Sequence, residues 1–324
     1  MKPEYIVGVD TSNYTTSLAV ATPKGEVVAN LKAPLPVKTG ECGLRQSDAL
    51  FAHTKNLPQL AKSLHNVLAG GQVVAIGVSE KPRNQEGSYM PCFLAGISAA
   101  ECAGGMLDVP VFRFSHQCGH LRAALYSAGQ NDLRQRTFGA FHVSGGTTEM
   151  LRVSPGERGF TAGVVGGSRD LHAGQAIDRI GVMLGLSFPC GAALEALAEE
   201  NTTPFSPRGT HTEDGYIHLS GLENLAQKLW QDTGCAACVA DFTLDYLARA
   251  MLAMARFYRR TYGDEPLVFA GGVMADRRIQ NRLRAELPET FFAAPALSTD
   301  NAAGTALLAA EAYMRQKEGG EANG

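Results

Sequence analysis

The chain reads as an α/β protein of two related lobes, and three observations carry that reading. Strand-like and helix-like apolar segments alternate along its 324 residues. A unit of strand, polar turn and strand occurs twice, first as YIVGVDTSNYTTSLAVAT from Tyr5 and again as GAFHVSGGTTEMLRVS from Gly139. A third unit, PLVFAGGVMADRRIQNRL from Pro266, runs from an apolar strand through Gly271 and Gly272 into a helical pattern. Turns built from Gly, Ser and Thr let backbone N–H groups approach an anion closely, and a helix N-terminus adds its dipole. Hairpin closure alone explains one such turn. Two matching hairpins with a strand-Gly-Gly-helix unit favour a nucleotide held between two lobes.

That is the plan of the actin-like ATPase superfold, with residues 1–112 plus 297–324 expected as an N-terminal lobe and 113–296 as a C-terminal lobe. The helices are legible too. SDALFAHTKNLPQLAKSLHNVLAG, from Ser47, is amphipathic and ends in glycine, with Pro58 the main objection. FTLDYLARAMLAMARFYRRTYG, from Phe242, carries a long apolar stripe in which Met251 and Met254 fill core. The polar, glycine-rich end MRQKEGGEANG is expected to fray.

Composition narrows the function classes. A formal net charge of −3 excludes a generally basic nucleic-acid binder, so a nucleic-acid partner needs a local patch. RRIQNRLR, with Arg277, Arg278, Arg282 and Arg284, is the best candidate, although taken alone a solvated helix face explains it better. Seven scattered cysteines point to reduced thiols and a cytoplasmic protein. Cys235 and Cys238 make one CxxC without the second pair of a zinc ribbon, and read as helix or loop thiols. Glu101 and Asp108 interrupt the most apolar region, and no signal-peptide pattern opens the chain, so no membrane association is expected.

SHQCGHLRAAL carries the strongest chemical signal. His116 and His120 stand four apart, a little over one helical turn, so both imidazoles share a face, with Ser115 where an N-cap belongs. Two histidines so spaced can share one metal ion; two polar residues on a solvated face is the competing reading.

The ordered motifs then make a family visible. SHQCGHL, HVSGG, GQAIDRIGVMLGLSFPCG, HLSGLE, VFAGGVMADRR and STDNAA resemble, in order, those of the tRNA threonylcarbamoyladenosine synthases, formerly named O-sialoglycoprotein endopeptidases. The resemblance implies a divalent metal, iron or zinc, on His116, His120 and Asp300. It implies contacts to an adenine nucleotide or threonylcarbamoyl-adenylate from His142, Val143, Ser144, Gly145, Gly146, Asp178, Gly191 and Asp276. The implied reaction moves threonylcarbamoyl from its adenylate to N6 of an adenine in tRNA, assisted by a catalytically inactive relative and a small ATPase. Protease chemistry is not expected, because a zincin needs a glutamate after its first histidine and Gln117 stands there.

Departures from the pattern cluster near the expected chemistry. Asp10 stands where the family has glutamate and is a candidate catalytic residue. Tyr14 and Thr15 replace acidic positions, Thr147 replaces histidine and Glu223 replaces lysine, while SEKPRNQEG replaces a glycine-rich loop. These changes leave a second reading open, a paralogue that keeps metal and nucleotide but uses another acceptor or acts as a regulatory partner. A small-molecule kinase on the same superfold would explain the glycine turns but not the two histidines.

Overall fold

The computed structural model describes residues 2–12, 14–36, 44–210 and 212–321. They form two compact units, residues 1–126 with 155–161 and 299–324, and residues 127–154 with 162–298.

The first unit is built on β1 (Glu4–Ser12), β2 (Thr15–Ala21), β3 (Val27–Pro34), β4 (Gln72–Lys81) and β5 (Val111–Ser115), in the order β3-β2-β1-β4-β5. The hairpin read from the sequence is antiparallel β1–β2, and β4 and β5 add in parallel. Alternation along β1 sorts the two faces. Val7 and Val9 meet Val78, Leu57 and Ala95 under α1 (Gln46–Val67) and α2 (Phe93–Leu107). Helix α1 passes unbroken through Pro58, because Leu57 and Leu64 of its apolar stripe are held by this core.

On the opposite face, small residues open a path for a helix. Gly8 pairs in register with Gly77, and α9 (Ala303–Glu321) lies directly on them. A Cβ on Gly8 would meet the Ala302 carbonyl oxygen at 2.5 Å, and one on Gly77 the Thr305 oxygen at 2.7 Å. The same helix packs against α3 (His116–Ser127), where a Cβ on Gly304 would fall on the Gly119 carbonyl oxygen. Gly304→Ala therefore has no room to relax and is expected to destabilise the protein by about 2–3 kcal/mol in urea unfolding. An unchanged midpoint would show that α9 is free to move.

Two expectations are corrected here. The division falls after Tyr126 rather than at 112, because α3 is tied to α9: Arg122, 2% exposed, donates from Nε to Glu311 at 2.7 Å. The C-terminal stretch, expected to fray, is helical over its described part, where α9 continues to Glu321; residues 322–324 lie outside the described residues.

The second unit contains β6 (Phe138–Val143), β7 (Thr148–Gly156), β8 (Gly159–Ser168), β9 (Tyr216–Ile217), β10 (Leu267–Ala270) and β11 (Thr290–Phe292), ordered β11-β10-β6-β7-β8-β9. The tip of the β7–β8 hairpin groups with the first unit, where the Phe160 carbonyl accepts from Asn84 Nδ2 and Cys118 Sγ. Helices α4 (Ala173–Met183), α5 (Gly191–Glu199), α6 (Ser220–Thr233), α7 (Ala236–Tyr262) and α8 (Arg277–Glu286) complete the unit. Met251 and Met254 of α7 are fully buried in a core with Phe269, Leu194 and Ile279, as their spacing predicts.

The strand-Gly-Gly unit differs from its expected form. After β10 the chain makes a 3-10 turn over Gly272–Ala275, and α8 begins only at Arg277. Asp276 caps it, its Oδ1 accepting the Ile279 N–H at 2.9 Å. Gly271, at φ 105°, is required because a Cβ there would strike the carbonyl of Val143 on the neighbouring strand.

Candidate functional site

In the first unit, β1, α3 and the residues just before α9 bring four side chains together. Ser115 ends β5 and caps α3, its hydroxyl accepting the Cys118 N–H at 3.3 Å. The first turn thereby begins at His116, and His120 follows on the same face, their ring centroids 4.2 Å apart. His116 Nε2 lies 3.5 Å and His120 Nε2 3.2 Å from Asp300 Oδ1. One donor atom from each residue falls within 4.8 Å of the others. Behind them Asp10, 1% exposed, places Oδ2 2.6 Å from His116 Nδ1, while its Oδ1 accepts the Ser12 N–H at 2.8 Å.

The electrostatics follow from this crowding. Burial by itself would lower the His116 pKa, but Asp10 and then Asp300 overcome it and push the imidazole up to about 10. Burial would raise the Asp300 carboxyl, yet the two imidazoles hold it far below the usual carboxylate range. Lys32 on β3 donates to Thr299 Oγ1 at 2.9 Å; burial lowers its pKa and the Asp300 charge acts against that. The donor set suits a divalent transition metal. With Nδ1 of His116 turned to Asp10, its Nε2 is left to face the same point as His120 and Asp300, an arrangement that could hold such an ion with Asp10 as the supporting carboxylate.

The second unit carries a cavity of about 360 Å³ lined by Gly145, Asp178, Gly191, Glu195, Gly272 and Asp276, among others. The β6–β7 turn is closed by Ser144 N–H to the Thr147 carbonyl at 2.7 Å and docks on α4, whose Gly174 N–H donates to the Ser144 carbonyl at 3.1 Å. One Asp178 oxygen is spent on the Cys190 N–H at 2.8 Å, which fixes the carboxylate at the cavity wall. Burial, reinforced by the Glu195 charge, lifts Asp276 to about 6 against the pull of its capping N–H groups and Arg278.

The expected ligand residues are therefore only partly gathered. Gly145, Asp178, Gly191 and Asp276 line the cavity. His142 lies in β6, and the Val143 side chain is buried in the core, so Val143 can offer a ligand only its backbone. Ser144 and Gly146 belong to the turn itself, joined by Gly146 N–H to Ser144 Oγ at 3.3 Å. Glu195 was not anticipated. Its place one helical turn after Gly191 on α5 is a usable signal, and it accepts the Arg277 N–H at 2.9 Å. The pairing of Asp10 with His116 left no trace in local spacing, since 106 residues separate them.

Other singled-out residues turn out to be structural. Arg278 pairs with Asp241 and Arg282 with Asp245 and Glu286, so two charges of the arginine stripe are neutralised in place, while Arg284 lies over the Phe292 ring. Glu223 pairs with Arg179 at 3.2 Å. Thr15 sits in the β1–β2 register opposite Ser12, and Tyr14 is 43% exposed. In HLSGLE, Asp170 accepts from Leu219 and Ser220 N–H groups and the Ser220 hydroxyl, which anchors the start of α6. No helix among the described residues is long and apolar enough to cross a membrane.

A first mixed sheet covered by α9 and a second carrying a glycine-lined cavity define a protein of the actin-like ATPase fold. Similarity to solved structures supports that class: full-length HypF in its phosphate- and nucleotide-bound form is 12% identical, with a TM-score of 0.57 over 96% of this chain and 55% of that one. The activator of 2-hydroxyisocaproyl-CoA dehydratase from Clostridium difficile, with bound ADPNP, is 14% identical, with a TM-score of 0.50 over 97% of both chains. Within that class the chain belongs to the tRNA N6-adenosine threonylcarbamoyltransferase (TsaD) family, whose model matches residues 38–307, and it is a transferase. A relative of that name from Streptococcus suis (strain 05ZYH33) is 28% identical over 99% of this chain and 96% of its own length.

Proposed function

We propose that the chain transfers a threonylcarbamoyl group from threonylcarbamoyl-adenylate to N6 of an adenine in tRNA, with one divalent metal, iron or zinc, held by His116, His120 and Asp300. The observation that carries this reading is the convergence of both Nε2 atoms on one Asp300 oxygen, with Asp10 bonded to Nδ1 of His116. A metal there would supply Lewis-acid polarisation of the donor's oxygens. In the transfer, the N6 amine forms a bond to the carbamoyl carbon, the bond from that carbon to the adenylate oxygen breaks, AMP departs and the amine loses a proton.

The donor is already activated, so positioning and charge stabilisation are the main tasks left to the protein. Asp178 keeps one oxygen for ribose hydroxyls while Cys190 N–H holds the other. Gly145, Gly191 and Gly272 present backbone without a side chain at the cavity wall. Asp10 acts by holding the His116 ring and tautomer rather than as a base, since it is 1% exposed and both its oxygens are engaged. The same proposal takes tRNA, an inactive relative of the family and a small ATPase as partners, in the cytoplasm.

A second reading, a paralogue with another acceptor, is favoured by one feature: the nucleotide cavity carries the carboxylates of Glu195 and Asp276 together. The test is mass spectrometry of threonylcarbamoyladenosine in unmodified tRNA incubated with this protein, threonine, bicarbonate, ATP, the adenylate-forming enzyme and its partners. Modified adenosine that is absent with His116→Ala supports the transfer to tRNA. No product, with a well-characterised relative active alongside, selects the other acceptor.

A further inference from the structure

We propose that Cys235 and Cys238 form an oxidisable dithiol, a reversible modification site at the start of α7 that a low-molecular-weight disulfide closes into an intrachain bridge. The two residues are the only CxxC of the sequence, and they lie outside both candidate sites. Cys235 is the N-cap of α7, and its Sγ accepts the Cys238 N–H at 3.3 Å, so the positive end of the helix is directed at that sulfur. The Thr203 hydroxyl also points at the sulfur, 3.8 Å away. Cys235 is half-buried and accessible, whereas Cys238 is fully buried. Burial, and then the neighbouring Cys235 sulfur and Asp241, push the Cys238 thiol up.

The backbone allows the bridge. Residues i and i+3 of a first helical turn have Cα atoms about 5 Å apart, inside the window of about 4.4–6.8 Å that a disulfide needs. Cys102 is exposed with no second cysteine at that spacing, and Cys92, Cys118 and Cys190 are buried singly along the sequence. The roles divide accordingly. The Cys235 thiolate attacks one sulfur of the disulfide RSSR, forming a mixed disulfide and releasing RS⁻, which takes up a proton. The Cys238 thiol attacks Cys235 Sγ, its proton passes to the departing sulfur, and the second thiol RSH leaves. The dithiol gives up two electrons and two protons, and RSSR becomes two RSH.

The full chain incubated with oxidised glutathione, alkylated and proteolysed, tests this by mass spectrometry. The peptide spanning Cys235 and Cys238 should emerge unalkylated and two hydrogens lighter, exceeding the mixed disulfide on Cys235 by about tenfold because the second attack is intramolecular. In Cys238→Ser one glutathione should remain trapped on Cys235, and in Cys235→Ser the peptide should carry none. Two alkylated cysteines in the native chain while Cys102 takes up glutathione would overturn the proposal. So would a Cys235→Ser variant that takes up glutathione on Cys238 as readily. The native-chain result decides by itself if either variant fails to fold.

Discussion

Replacing His116 with Ala is expected to reduce bound iron or zinc in the reconstituted protein from about one equivalent to less than about a tenth. Three donors converge within 4.8 Å, and removing one leaves His120 and Asp300, too few protein ligands for a stable site. Asp10→Asn should act more gently. It keeps the shape of the side chain but weakens the hold on His116 Nδ1, and metal affinity should fall about 10–100-fold, the usual cost of losing such a supporting carboxylate. Asp178→Asn, in the other unit, should leave metal uptake unchanged. Elemental analysis with chelator competition reads all three. Stoichiometric metal in His116→Ala would refute the site, and an Asp10→Asn affinity equal to the parent would refute the orienting role while leaving the ligands standing.

Asp276→Asn is expected to stabilise the protein by up to about 3 kcal/mol at pH 7.5, an effect that disappears near pH 4. The carboxyl is 7% exposed and faces Glu195, and its pKa rises from the unfolded value of 3.8 to about 6. The sign follows from linkage. An acid whose folded pKa is raised binds more protons folded than unfolded, so its contribution to stability is fully present below 3.8 and is lost as pH rises through 6. Asparagine keeps the cap on the Ile279 N–H and carries no charge at any pH. Urea unfolding of both proteins from pH 4 to 8 should give curves that meet at low pH and separate through the interval between the two pKa values. Parallel curves would mean that Arg278 and the helix N-terminus already compensate the buried charge.

Much of the local structure was legible because it rests on short-range rules. Ser115 before a helical pattern made a cap, and spacing by four put His116 and His120 on one face. Alternation made the β1–β2 and β6–β7 hairpins, and the apolar stripe of 242–263 made most of a buried helix. Local rules failed where a distant segment intervened. Pro58 is carried through α1 by the core beneath it. Two of the four arginines of α8, Arg278 and Arg282, look like part of a basic stripe until Asp241, Asp245 and Glu286 arrive to neutralise them.

The sequence by itself determined the fold class, the family and the identity of the residue types capable of holding a metal, because ordered motifs and periodicities survive in one dimension. Tertiary structure alone decided that Asp10 serves His116, that Glu195 stands beside Asp276, and that Gly8, Gly77 and Gly304 exist to let α9 approach. Those relations depend on which backbones touch after the chain folds, and contacts between residues a hundred positions apart leave no period to read.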